Sequence, residues 1–324
     1  MTATGQTQVV PDATGMQATR LSAAYAECRA IARREAKNFY YSFVALPRER
    51  RDAMCAIYAF MRRADDLSDD ETRSREERRA ALAEWLSEWH AARSGAATGD
   101  AVFLAVRDAA ERFQIPHALL DELVAGTTMD LDETAASRAG EADTFASYAE
   151  LDRYCYLVAS VVGLVCIRIF GYSDGRAEKL AEQTGIAFQL TNILRDVKED
   201  AERNRVYLPL SEMARHGVTV EDLLRHSAGP VSEAERALLE SVGERAERMY
   251  GAARALLPLI DPVSRPALWV LVTIYHGLLR RIRQARYEVM AERVAVPTWR
   301  KLAILMAGLG WMGWVRVTAG GSRG

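Results

Sequence analysis

Apolar residues recur at helical spacing along almost the whole chain from Arg20 onward, and stretches that alternate like a strand are scarce. Proline, glycine and polar loops interrupt the pattern and separate its segments. The pattern predicts helices over residues 22–40, 48–69, 76–93, 100–113, 116–131, 145–170, 177–200, 231–257 and 262–293. Residues 205–209 are predicted to form a non-helical connector. We therefore predict one all-α domain without internal repeats, a helical bundle around a central cavity.

Two of the predicted helices carry a line of polar residues through otherwise apolar sequence. The first line consists of Tyr58, Arg62, Asp65 and Asp69, and the second of Gln189, Asn192, Asp196 and Asp200. Each line runs at helical spacing beside an apolar run, 53–61 in one helix and 186–194 in the other. A solvated helix face is the ordinary explanation of such charges. A surface helix does not need a polar stripe among apolar residues, so the pattern favours the polar lining of a cavity.

The acidic members of these stripes are paired. Asp65 and Asp69 stand four residues apart, as do Asp196 and Asp200, so each pair occupies one helix face. Like charges at that spacing repel and mildly destabilise a helix. Magnesium prefers carboxylate oxygens and is usually held by a few of them together with substrate phosphates. The two faces therefore predict a site for a metal-bound diphosphate.

Composition excludes several other classes of protein. The 324 residues include 42 basic and 44 acidic side chains, a formal charge of −2, which does not fit a nucleic-acid-binding protein. The four cysteines, which we expect to be buried free thiols, are well separated: Cys28, Cys55, Cys155 and Cys166. The five histidines lack zinc spacing, and no glycine-rich nucleotide loop is present.

Four motifs, in order, resemble the squalene/phytoene synthase family from about Arg33 to about Val296. They are Tyr58-Ala-Phe-Met-Arg62-Arg-Ala-Asp65-Asp66-x-x-Asp69, Tyr154-Cys-Tyr-x-Val-Ala, Gly185-x-Ala-Phe-Gln189-Leu-Thr-Asn192-Ile-Leu-Arg195-Asp196-x-x-Glu199-Asp200 and Arg203-Asn-Arg205-Val-Tyr207-Leu-Pro209. Each motif alone is moderately specific, whereas the ordered set is highly specific for the family.

The resemblance implies an isoprenoid synthase fold and the Mg²⁺-dependent head-to-head (1′–1) condensation of two prenyl diphosphates, with Mn²⁺ as an alternative metal. It implies catalytic roles for Asp65, Asp69, Asp196, Asp200 and Tyr154. The implied metal ligands are Asp65, Asp66, Asp69, Asn192, Asp196, Glu199 and Asp200. The implied substrate-binding residues are Lys37, Asn38, Tyr58, Arg62, Gln189, Asn192, Arg195, Arg205, Tyr275 and Arg293. The segment 36–39 departs from the family, because many relatives have a serine pair there.

Residues 161–171 look more like the branch that converts two farnesyl diphosphates to presqualene diphosphate or squalene, which is the predicted function. NADPH is implied only if squalene is the end product. Phytoene synthesis from two geranylgeranyl diphosphates is the first alternative. A head-to-tail prenyl transferase or terpene cyclase usually has a second Asp-Asp-x-x-Asp or an Asn/Ser/Glu triad, whereas this chain has Asp196-x-x-Glu199-Asp200. A non-catalytic family relative, acting as an assembly or binding factor, is a further alternative that the retained aspartates disfavour.

The predicted catalytic domain spans residues 20–298, between two atypical ends. Residues 1–19 are polar, do not resemble a signal peptide and are predicted to be a disordered tail. Residues 299–324 form an apolar segment and a flexible tail. The uncharged run Leu302 to Val315 is shorter than the ~20 residues needed to span a bilayer. Its tryptophans and flanking cations suggest peripheral contact with the inner membrane surface through 299–316, with a helix packed on the bundle as the alternative. We expect a cytoplasmic protein.

Overall fold

The computed structural model describes residues 13–129, 131, 142–225, 230–291 and 293–320, and the side chains of 13–14, 37–38 and 316–320 lie outside that description. The helices are α1 (Ala13–Glu35), α2 (Lys37–Val44), α3 (Arg48–Ser68), α4 (Arg75–Arg93), α5 (Ala101–Arg112), α6 (His117–Met129), α7 (Tyr148–Cys155), α8 (Val161–Phe170), α9 (Arg176–Glu202), α10 (Leu210–His216), α11 (Val220–Leu224), α12 (Glu233–Leu256), α13 (Arg265–Gln284) and α14 (Thr298–Gly320). A π-helical turn (Tyr156–Ser160) joins α7 to α8, and a 3₁₀ turn (Leu257–Leu259) follows α12. The strands β1 (Asp143–Thr144) and β2 (Arg205–Val206) pair in parallel. The all-α prediction is confirmed.

Local capping sets several helix starts. The Ser74 hydroxyl accepts a hydrogen bond from the Glu77 amide at 3.2 Å, and the Glu77 carboxylate accepts one from the Ser74 amide at 2.8 Å. Ser232 and Glu235 form the same reciprocal pair at the start of α12. Such capping boxes satisfy amides that have no partner within the helix. They therefore begin α4 and α12 within two residues of the predicted positions.

Two apolar clusters form the core. In the first, Phe60 of α3 packs between Trp85 and Trp89 of α4, with ring centroids 4.8 and 5.1 Å apart. The second lies around the contact between α9 and α12 and extends to α13. Helix α9 begins in the first cluster, at Ala177 and Ala181, and continues into the second. The acidic stripe of α9 is thereby held by packing along the length of the helix.

The N-terminal helical region differs from the prediction. The predicted helix 22–40 is wrong in two respects, since α1 already begins at Ala13 and a break at Ala36 separates it from α2. Residues 13–19 of the predicted disordered tail are thus helical, and the rest of that tail lies outside the described residues. Ala36 is buried, and the break lets Phe39 of α2 pack on Tyr275 of α13, with ring centroids 5.7 Å apart. Packing between distant helices overrides local propensity here.

The C-terminal end of α13 also differs from the prediction. The helix ends at Gln284 rather than at residue 293, and Arg286 and Tyr287 follow with φ of 52° and 58°. Left-handed backbone is uncommon for residues other than glycine. The Tyr287 side chain is buried against α12, where a Cβ on Gly243 would lie 2.2 Å from its hydroxyl oxygen. Burial of this tyrosine holds the turn, after which the chain returns to α9 at Arg293.

The π-helical turn lies where α9 approaches α7 and α8 most closely. A Cβ on Gly185 of α9 would lie 2.6 Å from the Ser160 Cα and 2.8 Å from the Ala159 carbonyl carbon. The segment Tyr148–Phe170 is the one run among the described residues that is long and apolar enough to cross a membrane, a test that core helices also pass. It packs against α6 and α9, which is the position of a core helix.

Replacing Gly185 by alanine should destabilise the protein, because the new methyl group would overlap backbone atoms that cannot rotate away. We expect a loss of about 1–3 kcal/mol, measured as a lower melting temperature by circular dichroism. The matched control is Gly251→Ala in α12, where nothing lies within 4 Å of the position that the new methyl group would take. That variant should gain about 0.5–1 kcal/mol from helix propensity. Equal melting of the two variants would contradict the close approach.

Candidate active site

An apolar cavity of about 220 Å³ lies between α2, α3, α8, α9 and α13. Its walls are mainly hydrophobic, including Phe43, Met54, Val162, Ile167, Phe170 and Leu268. Along α3 the lining stops at Met61, one turn before Asp65, and along α9 it stops at Asn192, one turn before Asp196. The two acidic pairs therefore lie one helical turn past the lining of the same cavity.

The first acidic cluster surrounds Asp65 at the end of α3. Burial raises the pKa of Asp65 to about 6, and the neighbouring charge of Asp69 adds to the effect. The Thr127 hydroxyl of α6 donates a hydrogen bond to Asp65 at 3.3 Å. Asp66 is exposed and pairs with Arg62 at 2.6 Å, and Asp69 is exposed where α3 ends. Asp65 is thus a half-buried carboxylate with no cation bound directly among the described contacts.

The second cluster differs because arginines already occupy it. Arg195 donates hydrogen bonds to both carboxylate oxygens of Asp196, and Arg293 donates one to Asp196 Oδ1 at 2.6 Å. Burial alone would raise the pKa of Asp196, but the two arginines outweigh it and hold that pKa below its usual range. Burial raises the pKa of Asp200 to about 7, and the charge of Asp196 adds to the effect. Arg293 also lies 3.3 Å from Glu199.

The oxygens around these clusters suit a hard divalent cation. Asn192 Oδ1 and Glu199 Oε2 are buried without a hydrogen-bond partner, which is costly unless something binds them. Among the described residues no three His, Cys, Asp or Glu side chains are grouped closely enough to hold a metal by themselves. Magnesium usually completes its shell with water and substrate phosphate, so a few carboxylates suffice. The donor set fits Mg²⁺ held jointly with a diphosphate.

Two tyrosines belong to the polar part of the cavity wall. Tyr275 is buried and stacks on Phe188 with ring centroids 4.6 Å apart. Burial raises its pKa to about 12 against the opposing effects of Arg195 and Asn192. Burial likewise raises the pKa of Tyr58 to about 12. Both phenols therefore stay protonated near neutral pH and can donate hydrogen bonds.

A second, larger cavity of about 780 Å³ adjoins Tyr275, which also lines the first one. Among the described residues, the charged side chains that line it are all basic: Arg33, Arg34, Arg195, Arg293 and Lys301. Burial and the charge of Arg195 lower the pKa of Lys301, as expected where cations crowd together. Such a pocket favours a polyvalent anion. The sequence analysis missed Lys301, Arg33 and Arg34, because no motif includes them and helix packing alone brings them to Arg195.

The remaining predicted residues are placed as follows. Gln189 lines the apolar cavity together with Asn192. Tyr154 is not among the described residues that line it; its ring stacks on Tyr207 with centroids 5.1 Å apart. Arg205 lies in β2, faces a small pocket beside Asp200 and contacts the Tyr207 hydroxyl. The side chains of Lys37 and Asn38 lie outside the described residues, although their backbone forms the first turn of α2.

Comparison with known proteins agrees with this geometry. Residues 32–300 match the family model of squalene/phytoene synthase. A phytoene synthase from Arthrospira platensis is 33% identical over 304 residues, covering 89% of this chain and 93% of that protein. A phytoene synthase from Mycobacterium tuberculosis is 34% identical and covers 90% and 92%.

Solved structures of similar proteins share the fold. A dehydrosqualene synthase in complex with a ligand superposes with a TM-score of 0.78 at 29% identity, covering 92% of this chain and 99% of that one. A squalene synthase from Alicyclobacillus acidocaldarius gives a TM-score of 0.74 at 25% identity, covering 83% and 97%. With paired acidic helices at the margin of an apolar cavity and a family match over most of its length, this chain belongs to the squalene/phytoene synthase family of prenyltransferases, which join two prenyl diphosphates head to head.

Proposed function

We propose that this enzyme uses farnesyl diphosphate as both substrates, requires Mg²⁺, and forms presqualene diphosphate or squalene. The observation that supports the proposal is the apolar cavity whose lining ends one turn before both acidic pairs. Such a cavity can hold hydrocarbon chains while their diphosphates remain at the carboxylates and arginines. At about 220 Å³ the cavity is smaller than the roughly 300–1,000 Å³ of typical ligand sites, which favours the shorter farnesyl chain over the geranylgeranyl chain.

The metal would be held by carboxylates of both helices, chiefly Asp65 and Asp69 from one side and Asp196 and Asp200 from the other. Asp66, Asn192 and Glu199 are the further oxygen donors. When bound, Mg²⁺ would neutralise charge on the departing diphosphate. Breaking the C1–O bond of one substrate leaves the electron pair on diphosphate and an allylic cation in the cavity. The double bond of the second substrate attacks this cation, and loss of one proton from the resulting carbocation closes the cyclopropane ring of presqualene diphosphate.

The protein's own groups serve the departing anion and the cation separately. Arg195, Arg293 and Lys301 would bind diphosphate oxygens through charge-assisted hydrogen bonds. Tyr275 lies between the basic pocket and the apolar cavity, so its protonated hydroxyl can donate to the same oxygens. The apolar walls exclude water, which would otherwise capture the cation.

Asp65→Asn and Asp196→Asn should each lower turnover by on the order of 10²–10³, because each removes a charged donor from the site that stabilises the leaving group. The helical circular dichroism should remain, since relief of like-charge repulsion does not harm a helix. Glu71→Gln, at an exposed acid just past the first cluster, is the matched control and should keep full activity. Near-normal turnover of either aspartate variant at saturating Mg²⁺ would remove the metal from the proposal.

Asp196 cannot hold a metal and both arginines with the same oxygens, so metal binding should release Arg293 to the diphosphate. Arg293→Gln should therefore bind Mn²⁺ alone about two- to fivefold more tightly, since an exposed ion pair no longer competes. The same variant should bind inorganic diphosphate with Mn²⁺ about tenfold more weakly, because a charged hydrogen-bond donor is lost. Free Mn²⁺ measured by electron paramagnetic resonance reports the first quantity, and calorimetry the second.

The control for this exchange is Arg300→Gln, which removes the same charge from an exposed position nearby. Neither binding constant should change in that variant. Weaker binding of Mn²⁺ alone to Arg293→Gln would contradict the exchange, because the arginine would then support the metal site rather than compete for it.

Phytoene synthesis is the second candidate, and the identity of 33–34% to two phytoene synthases favours it. Against it, the cavity measures only about 220 Å³, and the buried side chains of Ile167, Phe170 and Leu256 form part of its wall. Each further buried methylene is worth about 0.8 kcal/mol, so one isoprene unit suffices for strong discrimination if those walls hold.

Equimolar farnesyl and geranylgeranyl diphosphate with Mg²⁺ should therefore yield mainly the C30 product, identified by mass spectrometry. Phe170→Ala should shift the ratio toward the C40 product by enlarging the cavity. Parallel reactions with and without NADPH would show whether the product stops at presqualene diphosphate or proceeds to squalene. Phytoene as the main product of the unmodified enzyme would overturn the farnesyl proposal and leave the family assignment intact.

A further inference from the structure

Helix α14 has an exposed apolar face. The side chains of Trp299, Leu302, Met306 and Trp314 are 69%, 48%, 65% and 66% exposed. Their spacing of three, four and eight residues places them along one side of the helix. Among the described residues only two other large hydrophobic side chains are exposed, Met16 and Leu210. Exposed apolar area is thus concentrated on one element, which marks an interaction site.

The opposite face of α14 is firmly packed. A Cβ on Gly308 would lie 2.4 Å from Val270 Cγ2, so a side chain at this position would displace Val270 of α13. The Trp311 ring meets Trp269 edge to face with centroids 6.3 Å apart, and Ile304 and Leu305 pack against the first core cluster. The exposed face is therefore not a consequence of a loosely attached helix.

Charge distinguishes the kind of partner. No charged residue occurs from 302 to 315, so this face offers nothing for a polar protein surface to pair with. Exposed cations stand at its N-terminal end: Arg300 on the helix, and Arg33 and Arg34, which line the basic cavity together with Lys301. An apolar face bordered by tryptophan and cations is typical of a helix that lies in the interface of an anionic membrane.

The position of α14 fits a lipid partner as well. It packs against α2 and α13, and both of these helices line the apolar cavity, through Phe39 and Phe43 on one and Leu268 and Tyr275 on the other. Prenyl chains and their hydrocarbon products partition into lipid rather than water. We propose that α14 docks the enzyme on an anionic bilayer surface, lying in the plane of the membrane beside the cavity walls. This inference does not depend on substrate chain length.

Flotation of the full-length protein with vesicles tests the proposal. The protein should float with phosphatidylcholine vesicles that contain phosphatidylglycerol, less with phosphatidylcholine alone, and less again at high salt. Leu302→Glu combined with Met306→Glu should weaken binding at least about tenfold, because two inserted apolar side chains are replaced by anions. The matched control is Met16→Glu with Leu210→Glu, which makes the same chemical change at exposed positions off the helix and should bind like the unmodified protein.

A second measurement does not depend on any variant. The emission of Trp299 and Trp314 should shift to shorter wavelength when anionic vesicles are added, because both rings leave water. No flotation of the unmodified protein, or equal flotation of the Leu302→Glu/Met306→Glu variant, overturns the proposal. A dimer found by sedimentation equilibrium without lipid also overturns the proposal if the Leu302→Glu/Met306→Glu variant is a monomer, because the apolar face would then bind a second copy of the chain. Unchanged melting and turnover with detergent-dispersed substrate would show that the variant is folded.

Discussion

Negative charge beside an apolar cavity must be compensated, and this constraint governs the rest of the structure. Asp65 and Asp200 are substantially buried, and burial raises the pKa of both carboxyl groups. Carboxylates in such positions destabilise the folded protein relative to a version with neutral groups there. Rigid helices that pack along their length, α3 on α1 and α9 on α12, can hold these groups in place nevertheless. A metal-bound diphosphate is the partner that would relieve the cost.

The two clusters meet this constraint differently. The first has Asp65 supported by a neutral hydroxyl, whereas the second has Asp196 bound by Arg195 and Arg293. Because these arginines also line the basic cavity, positive and negative charge meet at Asp196. A diphosphate that arrives with a divalent cation can therefore bind the arginines while its cation binds the carboxylate of Asp196. Tyr275 adds a neutral donor at the same boundary, and its raised pKa keeps the proton available.

The acidic helices could be predicted from sequence because their signal is local. An apolar run with a polar stripe at period 3.6 identifies both the helix and its functional face. The break at Ala36 and the early end of α13 could not be predicted, because each depends on packing against a helix far away in the sequence. The break goes with the contact of Phe39 with Tyr275 of α13, and the end of α13 with the burial of Tyr287 against Gly243 of α12. Three cations of the basic cavity, Arg33, Arg34 and Lys301, were missed for the same reason. Arg33 and Lys301 are more than 250 residues apart along the chain, and none of the three belongs to a motif.

Helix α13 connects the inside of the protein with its outer apolar face. Leu268, Leu271 and Tyr275 recur at intervals of three and four residues and line the cavity, while Trp269 and Val270 on another side receive α14. A helix that is apolar on two sides in this way must be covered on both. Hydrophobicity in the sequence of α14 therefore has two causes, attachment to α13 and the exposed stripe. Composition alone could not separate these two causes, because the sequence does not distinguish a tryptophan that packs on protein from one that faces solvent. The orientation of the helix in the structure shows that Trp311 packs on α13 and that Trp299 is exposed.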